Sequence, residues 1–103
     1  MSRNIDQKRK PTLSAWKIIS NHATALYLIN KNPASPAHQL AVKLDISERS
    51  VRRIIKDLQT AGYLRIQKEG RSNRYKIFHS APLRRTDFGN KTAGELLEAL
   101  SQE

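Results

Sequence analysis

The spacing of hydrophobic residues divides the chain into four helical segments and one hairpin. Apolar side chains recur at intervals of three and four in residues 20–30, 36–44, 47–60 and 92–101, the period of a helix with one buried face. Across residues 63–78 the period changes to two, and the letters EGRSN interrupt it, which predicts a β-hairpin with a short turn. The predicted fold is therefore mainly α with a small β-hairpin, an α+β arrangement.

Polar residues ahead of these segments predict where the helices begin. Ser20 can cap the first helix, but Ser14 can cap a longer helix that starts upstream, and the residues alone leave both starts open. Ser47 is a suitable cap for the third helix. Thr92 and Glu95 have the spacing of a capping box at the start of the last helix.

The second and third segments have the spacing of a helix-turn-helix motif. Such a motif needs a small residue where its helices touch, a turn residue four positions later, and a branched apolar residue six positions after that. Ala41, Asp45 and Val51 occupy these positions. Asp45 stands where glycine is more usual, and aspartate also enters the left-handed region at modest cost. Ser35 as the cap, followed by Pro36 at the first helical position, predicts that the first helix of the motif begins at Pro36.

The charge of the chain indicates a polyanionic partner. Its 103 residues include 19 Lys and Arg against 9 Asp and Glu, a formal net charge of +10. Nucleic acid is the first candidate and an anionic membrane surface the second. Residues 49–85 hold eleven basic and two acidic side chains, whereas residues 86–103 hold one basic and four acidic side chains. The binding surface is therefore predicted in the middle third, with the acidic segment facing elsewhere.

The composition argues against catalysis, cofactors and metal binding. Without cysteine the chain has no disulfide, thiolate zinc site or cysteine nucleophile. His22, His38 and His79 lack a matching carboxylate spacing, and the GxSxG, HExxH, Walker and GxGxxG patterns do not occur. The N-terminus has no signal-like apolar region, and no apolar stretch approaches the roughly 18 residues of a membrane span. We expect a soluble cytoplasmic protein that is not an enzyme and has no membrane partner.

The third helix, residues 47–60, is predicted to be a recognition helix. At 100° per residue, the face opposite its apolar stripe is positively charged. The alternative explanation for such a face is that it is simply the solvated side of a surface helix. Arginine can form two hydrogen bonds with guanine or with a phosphate, and serine can donate to either. The first residues of such a helix reach deepest into a major groove. The predicted DNA contacts on this helix are Ser47, Arg49, Ser50, Arg52, Arg53 and Lys56.

The hairpin, residues 63–78, carries a second cluster of polar and basic residues around Gly70. In a winged helix this loop lies over the adjacent minor groove or the phosphate backbone, where arginine is favoured by the negative potential. A charged, solvated turn is the alternative explanation. A membrane-binding element is disfavoured because exposed aromatic residues do not back the basic face. The predicted contacts here are Lys68, Arg71, Ser72, Asn73 and Arg74.

Several short motifs occur in an order typical of one family. They are W…NHA, a proline-capped helix, a serine-capped recognition helix, DL..AGYL, GR.N.Y and the final TAGELLEAL helix. On these motifs the chain resembles the small MarR-like winged helix-turn-helix transcriptional regulators of bacteria over residues 14–100. The residues that carry the resemblance are Trp16, 21–23, 35–44, 47–58, 61–64, Gly70, Arg71, Asn73, Tyr75 and 82–84.

The resemblance implies a DNA-binding regulator and favours Ser20 as the start of the first helix. Asp45 departs from the pattern in the turn. The chain also lacks the long flanking helices that full-size MarR proteins use for dimerisation and ligand pockets, which argues against a small-molecule effector.

Three regions are expected along the chain: a mobile basic arm (1–12), a winged helix-turn-helix DNA-binding domain (13–83), and a connector with a C-terminal helix (84–103). The last helix is short, so its leucine face must cover another surface. We expect this surface to belong to a second copy, because two-fold dimers commonly read paired half-sites. The predicted dimerisation residues are Leu96, Leu97 and Leu100.

The predicted function is a transcriptional regulator that binds double-stranded DNA, with residues 47–60 in the major groove and residues 63–78 on the adjacent minor groove or backbone. One alternative is a winged-helix module that binds RNA or an acidic protein. Another is a plasmid or phage replication or partition factor, which would share the same DNA-binding chemistry.

Overall fold

A computed structural model describes residues 17–102, which form four α-helices and a two-stranded antiparallel sheet. The prediction of a mainly α fold with one hairpin is confirmed. The basic arm 1–12, Ser14 and Trp16 lie outside the described residues. The elements are α1 (Asn21–Lys31), α2 (Ala37–Leu44), α3 (Glu48–Thr60), β1 (Leu64–Glu69), β2 (Ser72–Ile77), a 3₁₀ turn (Thr86–Phe88) and α4 (Ala93–Ser101).

A hydroxyl side chain caps the N-terminus of both the first and the last helix. Ser20 has extended backbone angles, and its Oγ accepts a hydrogen bond from the N–H of Ala23 at 3.2 Å. Of the two starts left open by the sequence, the one at Ser20 is therefore observed. At α4 the predicted capping box is confirmed: Thr92 Oγ1 accepts from the Glu95 N–H, and Glu95 Oε1 accepts from the Thr92 N–H.

The start of α2 differs from the prediction by one residue. Pro36 is the cap and has extended angles of φ −72° and ψ 155°, so the helix begins at Ala37. Ser35 does not cap it. Its Oγ donates instead to the carbonyl oxygen of Asn32 at 2.8 Å, and the residue is only 7% exposed. The hydroxyl of Ser35 is thus bonded to the C-cap residue of α1, and no side chain caps α2.

The turn between α2 and α3 has the geometry required by a helix-turn-helix. Asp45 takes the left-handed conformation, with φ 57° and ψ 48°. The N–H of Ile46 donates to the carbonyl of Ala41 at 3.1 Å, which closes the end of α2. Ala41 and Val51 are both buried, as the motif requires. An aspartate therefore adopts the conformation that glycine more often provides.

The hairpin pairs Leu64 with Ile77 at one end and Glu69 with Ser72 at the other, leaving a two-residue loop. Gly70 begins this loop with φ 64°, a conformation that glycine adopts without steric cost. The two strands together with α1, α2 and α3 give the architecture of a winged helix-turn-helix.

The C-terminal helix is seated on the segment that follows β2. The N–H groups of Ala93 and Gly94 donate to the carbonyls of Ala81 and His79, both at 2.8 Å. A Cβ at Gly94 would lie 2.9 Å from the His79 carbonyl oxygen, so the close approach requires glycine. These bonds satisfy the first backbone donors of α4, which would otherwise lack partners.

One hydrophobic core joins all four helices and the hairpin. Leu97 of α4 is 1% exposed and belongs to this core. It is therefore covered by its own chain, and of the three predicted dimerisation residues only the partly exposed Leu96 and Leu100 retain accessible surface. The buried apolar residues are Ala25, Leu26, Ile29, Leu40, Ala41, Leu44, Val51, Ile54, Ile55, Leu58, Leu64, Tyr75, Ala93 and Leu97.

Candidate nucleic-acid interface

Helix α3 separates a fully apolar face from a polar, mostly basic face. Val51, Ile54, Ile55 and Leu58 are buried between the other elements. The outward face is solvent-exposed along the 13 residues of the helix. All six residues predicted as contacts on this element are exposed: Ser47, Arg49, Ser50, Arg52, Arg53 and Lys56.

The N-terminus of α3 is fixed by its own serine residues. Ser47 Oγ accepts from the backbone N–H of Ser50 at 3.0 Å, and it also lies 3.0 Å from Ser50 Oγ, to which it donates. The Ser47 hydroxyl is therefore engaged in capping. Because Ser50 Oγ accepts in this pair, its own hydroxyl hydrogen can be donated to another acceptor.

Arg52 differs from the other basic residues of α3 because it has an acidic partner. Its Nη2 donates to Oε1 of Glu48 at 3.1 Å, one turn earlier in the helix. Both side chains are largely solvent-accessible, at 66% and 48% exposure. Solvent screens such a pair, so it orients the guanidinium without holding it tightly.

A groove of about 600 Å³ lies between the start of α2, the side of α3 and the hairpin. Basic and polar residues line its rim, and Ile55, Ile66 and Tyr75 contribute to its floor. Helix α3 and the hairpin thus share one surface. The predicted contacts that the structure brings together there are Arg52, Lys56, Arg71, Ser72 and Asn73.

The remaining hairpin residues are distributed over both faces of the sheet. Lys68 pairs with Asn73 and is in register with the face that carries Ile66 and Tyr75. Arg74 pairs with Gln67, one position out of phase, and so belongs to the opposite face. All five predicted hairpin contacts are exposed, but Arg74 is directed away from the groove side.

Two hydrogen bonds that fix the position of the hairpin were not predicted from the sequence. Gln59 Oε1 accepts from the N–H of Ile66 at 3.2 Å, which fixes β1 to the helix. The N–H of Tyr75 donates to the carbonyl of Pro33 at 2.9 Å, which fixes β2 to the loop before α2. These bonds hold the hairpin in a defined position beside α3. Gln59 carries no sequence signal for this role, since an exposed glutamine on a helix is unremarkable in any surface pattern.

His22 links α1 to α3. Its Nε2 lies 2.9 Å from Oδ2 of Asp57, and both side chains are about half exposed. His79 makes a comparable contact, with Nε2 3.1 Å from Oδ1 of Asn30.

The connector after the hairpin contacts the C-terminal end of α3. Arg84, at φ 65°, donates from its guanidinium to the carbonyl of Ala61 and lies over the ring of Tyr63, 5.5 Å from its centroid. Tyr63 in turn donates its hydroxyl hydrogen to the carbonyl of Pro82. A cation at this position interacts favourably with the negative, C-terminal end of the α3 dipole.

The helices, the turn and the exposed basic face together define a nucleic-acid-binding helix-turn-helix protein. Accordingly, the family described as HTH domain matches residues 21–75, which is more than half of the chain, and the protein belongs to that family. This is a family of DNA-binding domains and not of enzymes. Curated proteins include no match to the chain. Within residues 17–102, none of the helices is long and apolar enough to span a membrane.

Proposed function

We propose that the protein is a sequence-specific transcriptional regulator of the small MarR-like bacterial type, acting on double-stranded DNA in the cytoplasm. The observation that carries this proposal is the groove in which basic residues of α3 and of the hairpin face the same space. A solvated surface helix would not need a second basic element held beside it by hydrogen bonds to Gln59 and Pro33. No small-molecule effector is part of the proposal.

The dimensions of α3 suit a major groove. Thirteen residues form a helix about 20 Å long, and a helix with its side chains is about as wide as the roughly 12 Å groove of B-DNA. Arg49 and Arg53 on the outward face are the candidates for contact with base edges. Ser47 and Ser50 lie at the end that enters first, where Ser50 can donate to a base or a phosphate.

The groove beside α3 suits the sugar–phosphate backbone that separates a major from a minor groove. Arg52 and Lys56 contribute positive charge from the helix, and Arg71 contributes it from the hairpin loop. Ser72 and Asn73 add hydrogen-bond donors on the same rim. In this arrangement Lys68 extends the hairpin side of the site, and Arg74 reaches the backbone from the opposite face of the sheet.

The C-terminal region, residues 84–103, is proposed to bind a second copy of the chain. Leu83, Phe88, Leu96 and Ala99 line an apolar groove of about 600 Å³, and Phe88 is 52% exposed. Lys91 lies at the rim of this groove. The acidic Asp87 and Glu95 lie there as well, so the surface carries both members of a charge pair. A two-fold contact places such a surface against itself and can pair each lysine with a carboxylate of the other copy. Leu100 lies outside this groove, beside Ile19 and Tyr27.

The test is the selection of bound duplexes from a random library, combined with the mass of the protein and its complex in solution. We expect one enriched sequence with two-fold symmetry and a dimeric protein. An enriched sequence without symmetry, bound by a monomer, would overturn the dimer and retain the regulator. Failure to enrich any duplex would overturn DNA recognition, and stronger competition by structured RNA than by duplex DNA would favour the RNA-binding alternative.

A further inference from the structure

Glu48 is an acidic residue at the N-terminal end of α3, a helix whose exposed face is mostly positively charged. The other acid of α3, Asp57, lies nine residues later and contacts His22 of α1. Glu48 instead pairs with Arg52, a residue of the proposed DNA-binding surface. The inference drawn from this contrast rests on the proposed function, because it concerns how that surface selects its DNA.

The position of Glu48 exposes its carboxylate to any DNA groove that α3 enters. It is the first residue of the helix, directly after the Ser47 cap. Side chains on a helix lean toward its N-terminus, so that of Glu48 extends past the first turn. Its carboxylate, 48% exposed, lies 3.1 Å from the Arg52 guanidinium. The pair therefore occupies the end of α3 that reaches deepest into a major groove.

A carboxylate at that position opposes non-specific binding. Contacts with phosphates supply most of the affinity for random DNA, and a negative charge nearby repels them. The same carboxylate also competes with phosphates for Arg52. A sequence that offers Glu48 no hydrogen-bond donor leaves this repulsion uncompensated. In the major groove, the donors are exocyclic amino groups, and a carboxylate typically accepts from N4 of cytosine.

We propose that Glu48 is a specificity-determining residue that accepts a hydrogen bond from the amino group of a cytosine while it orients Arg52. At the matching sequence the carboxylate gains a donor, and Arg52 is directed to a neighbouring guanine or phosphate. At other sequences Glu48 lowers the affinity. One residue thereby widens the difference between specific and random DNA.

The experiment compares the wild-type protein with Glu48→Gln and with Asp57→Asn by selection from a random duplex library. Both variants remove one negative charge from α3, but Asp57 lies outside the proposed DNA surface. Binding constants for the selected site and for a random duplex are then measured for all three proteins at one salt concentration. The far-ultraviolet circular dichroism of each variant checks that the fold is retained.

Glu48→Gln is expected to lose the cytosine preference at one position of each half-site and to shift toward adenine, which a glutamine amide recognises. Its affinity for random duplex should rise about fivefold, the size expected for one charge near a phosphate in water. Asp57→Asn should keep the wild-type preference. Identical preferences in the wild type and Glu48→Gln, or equal changes in both variants, would overturn the inference. A wild type that enriches no duplex would instead overturn the proposed function, and the inference with it.

Discussion

Helices α3 and α4 have the same kind of N-terminal cap, but the residues on their exposed faces differ. Each is capped by a hydroxyl side chain, Ser47 or Thr92, and each buries apolar residues in the common core. The remaining surface of α3 is polar and mostly basic. That of α4 is acidic along Glu95 and Glu98 and apolar at Leu96.

This difference is the basis for proposing two kinds of partner for one small domain. Charged residues need no protein to cover them, so a basic face with hydrogen-bond donors fits a solvated polyanion. Partly exposed leucines beside Phe88 gain by leaving water, which fits another apolar surface. The segment 86–103 is net negative and would be repelled by the polyanion that α3 attracts. The two surfaces therefore favour separate roles in binding DNA and a second chain.

The largest expected effect tests the charged side of this comparison. If each protomer neutralises about five phosphates, duplex affinity should fall about 500-fold per bound protomer between 50 and 200 mM salt. Fluorescence anisotropy of a labelled duplex over a salt series measures the slope. Dimer dissociation over the same series should change far less, because apolar burial dominates that contact. An affinity for DNA that does not depend on salt would contradict the assignment of α3.

Leu97→Ala tests the part of α4 that belongs to the core. Removing a side chain that is 1% exposed should lower the free energy of unfolding by about 2–4 kcal/mol. Urea titration followed by circular dichroism measures the change. Leu96→Ala is the matched control in the same helix. It should cause a smaller loss of stability than Leu97→Ala and a larger loss of dimer, measured as the mass in solution at low protein concentration. Equal stability losses at both positions would remove the distinction between the two sides of α4.

Arg53→Ala and Arg71→Ala compare the helix with the hairpin. Loss of Arg53 should weaken binding to the selected site by about 5- to 100-fold and affect random duplex less, as expected for a base contact. Loss of Arg71 should weaken binding to both duplexes to a similar extent and reduce the salt slope by about one per bound protomer. Parallel binding measurements on the two duplexes give both ratios. If Arg53→Ala also weakens both duplexes equally, Arg53 is a phosphate contact.

Thr92→Ala is expected to have the smallest effect. The variant removes the hydroxyl that accepts from the Glu95 N–H and should cost about 1 kcal/mol of stability. A thermal melt measures it, and Thr92→Ser, which retains the hydroxyl, should remain close to the wild type. Ser47→Ala makes the equivalent change in α3 and should cause a similar loss. A much larger cost at Thr92 would mean that the α4 cap also supports the contacts with residues 79–81.

Much of the fold could be predicted because its signals are local. Apolar spacing identified the helices and the hairpin, and the Asp45 turn followed from the distances between Ala41, Asp45 and Val51. The capping box was predictable because its two residues are three positions apart. Ser35 was predicted wrongly as a cap, because its hydroxyl donates to the carbonyl of Asn32 and Pro36 is the cap residue of α2.

The sequence by itself determined which residues are basic, which helices are amphipathic and which hydroxyls can cap them, because these properties depend on neighbours within one or two turns. Only the tertiary structure decided that Arg71 shares a groove with Lys56, that Gln59 fixes the hairpin, and that Leu97 is covered by its own chain. These contacts join residues distant along the chain. Their partners are selected by how the packed elements meet, and no local pattern records that geometry.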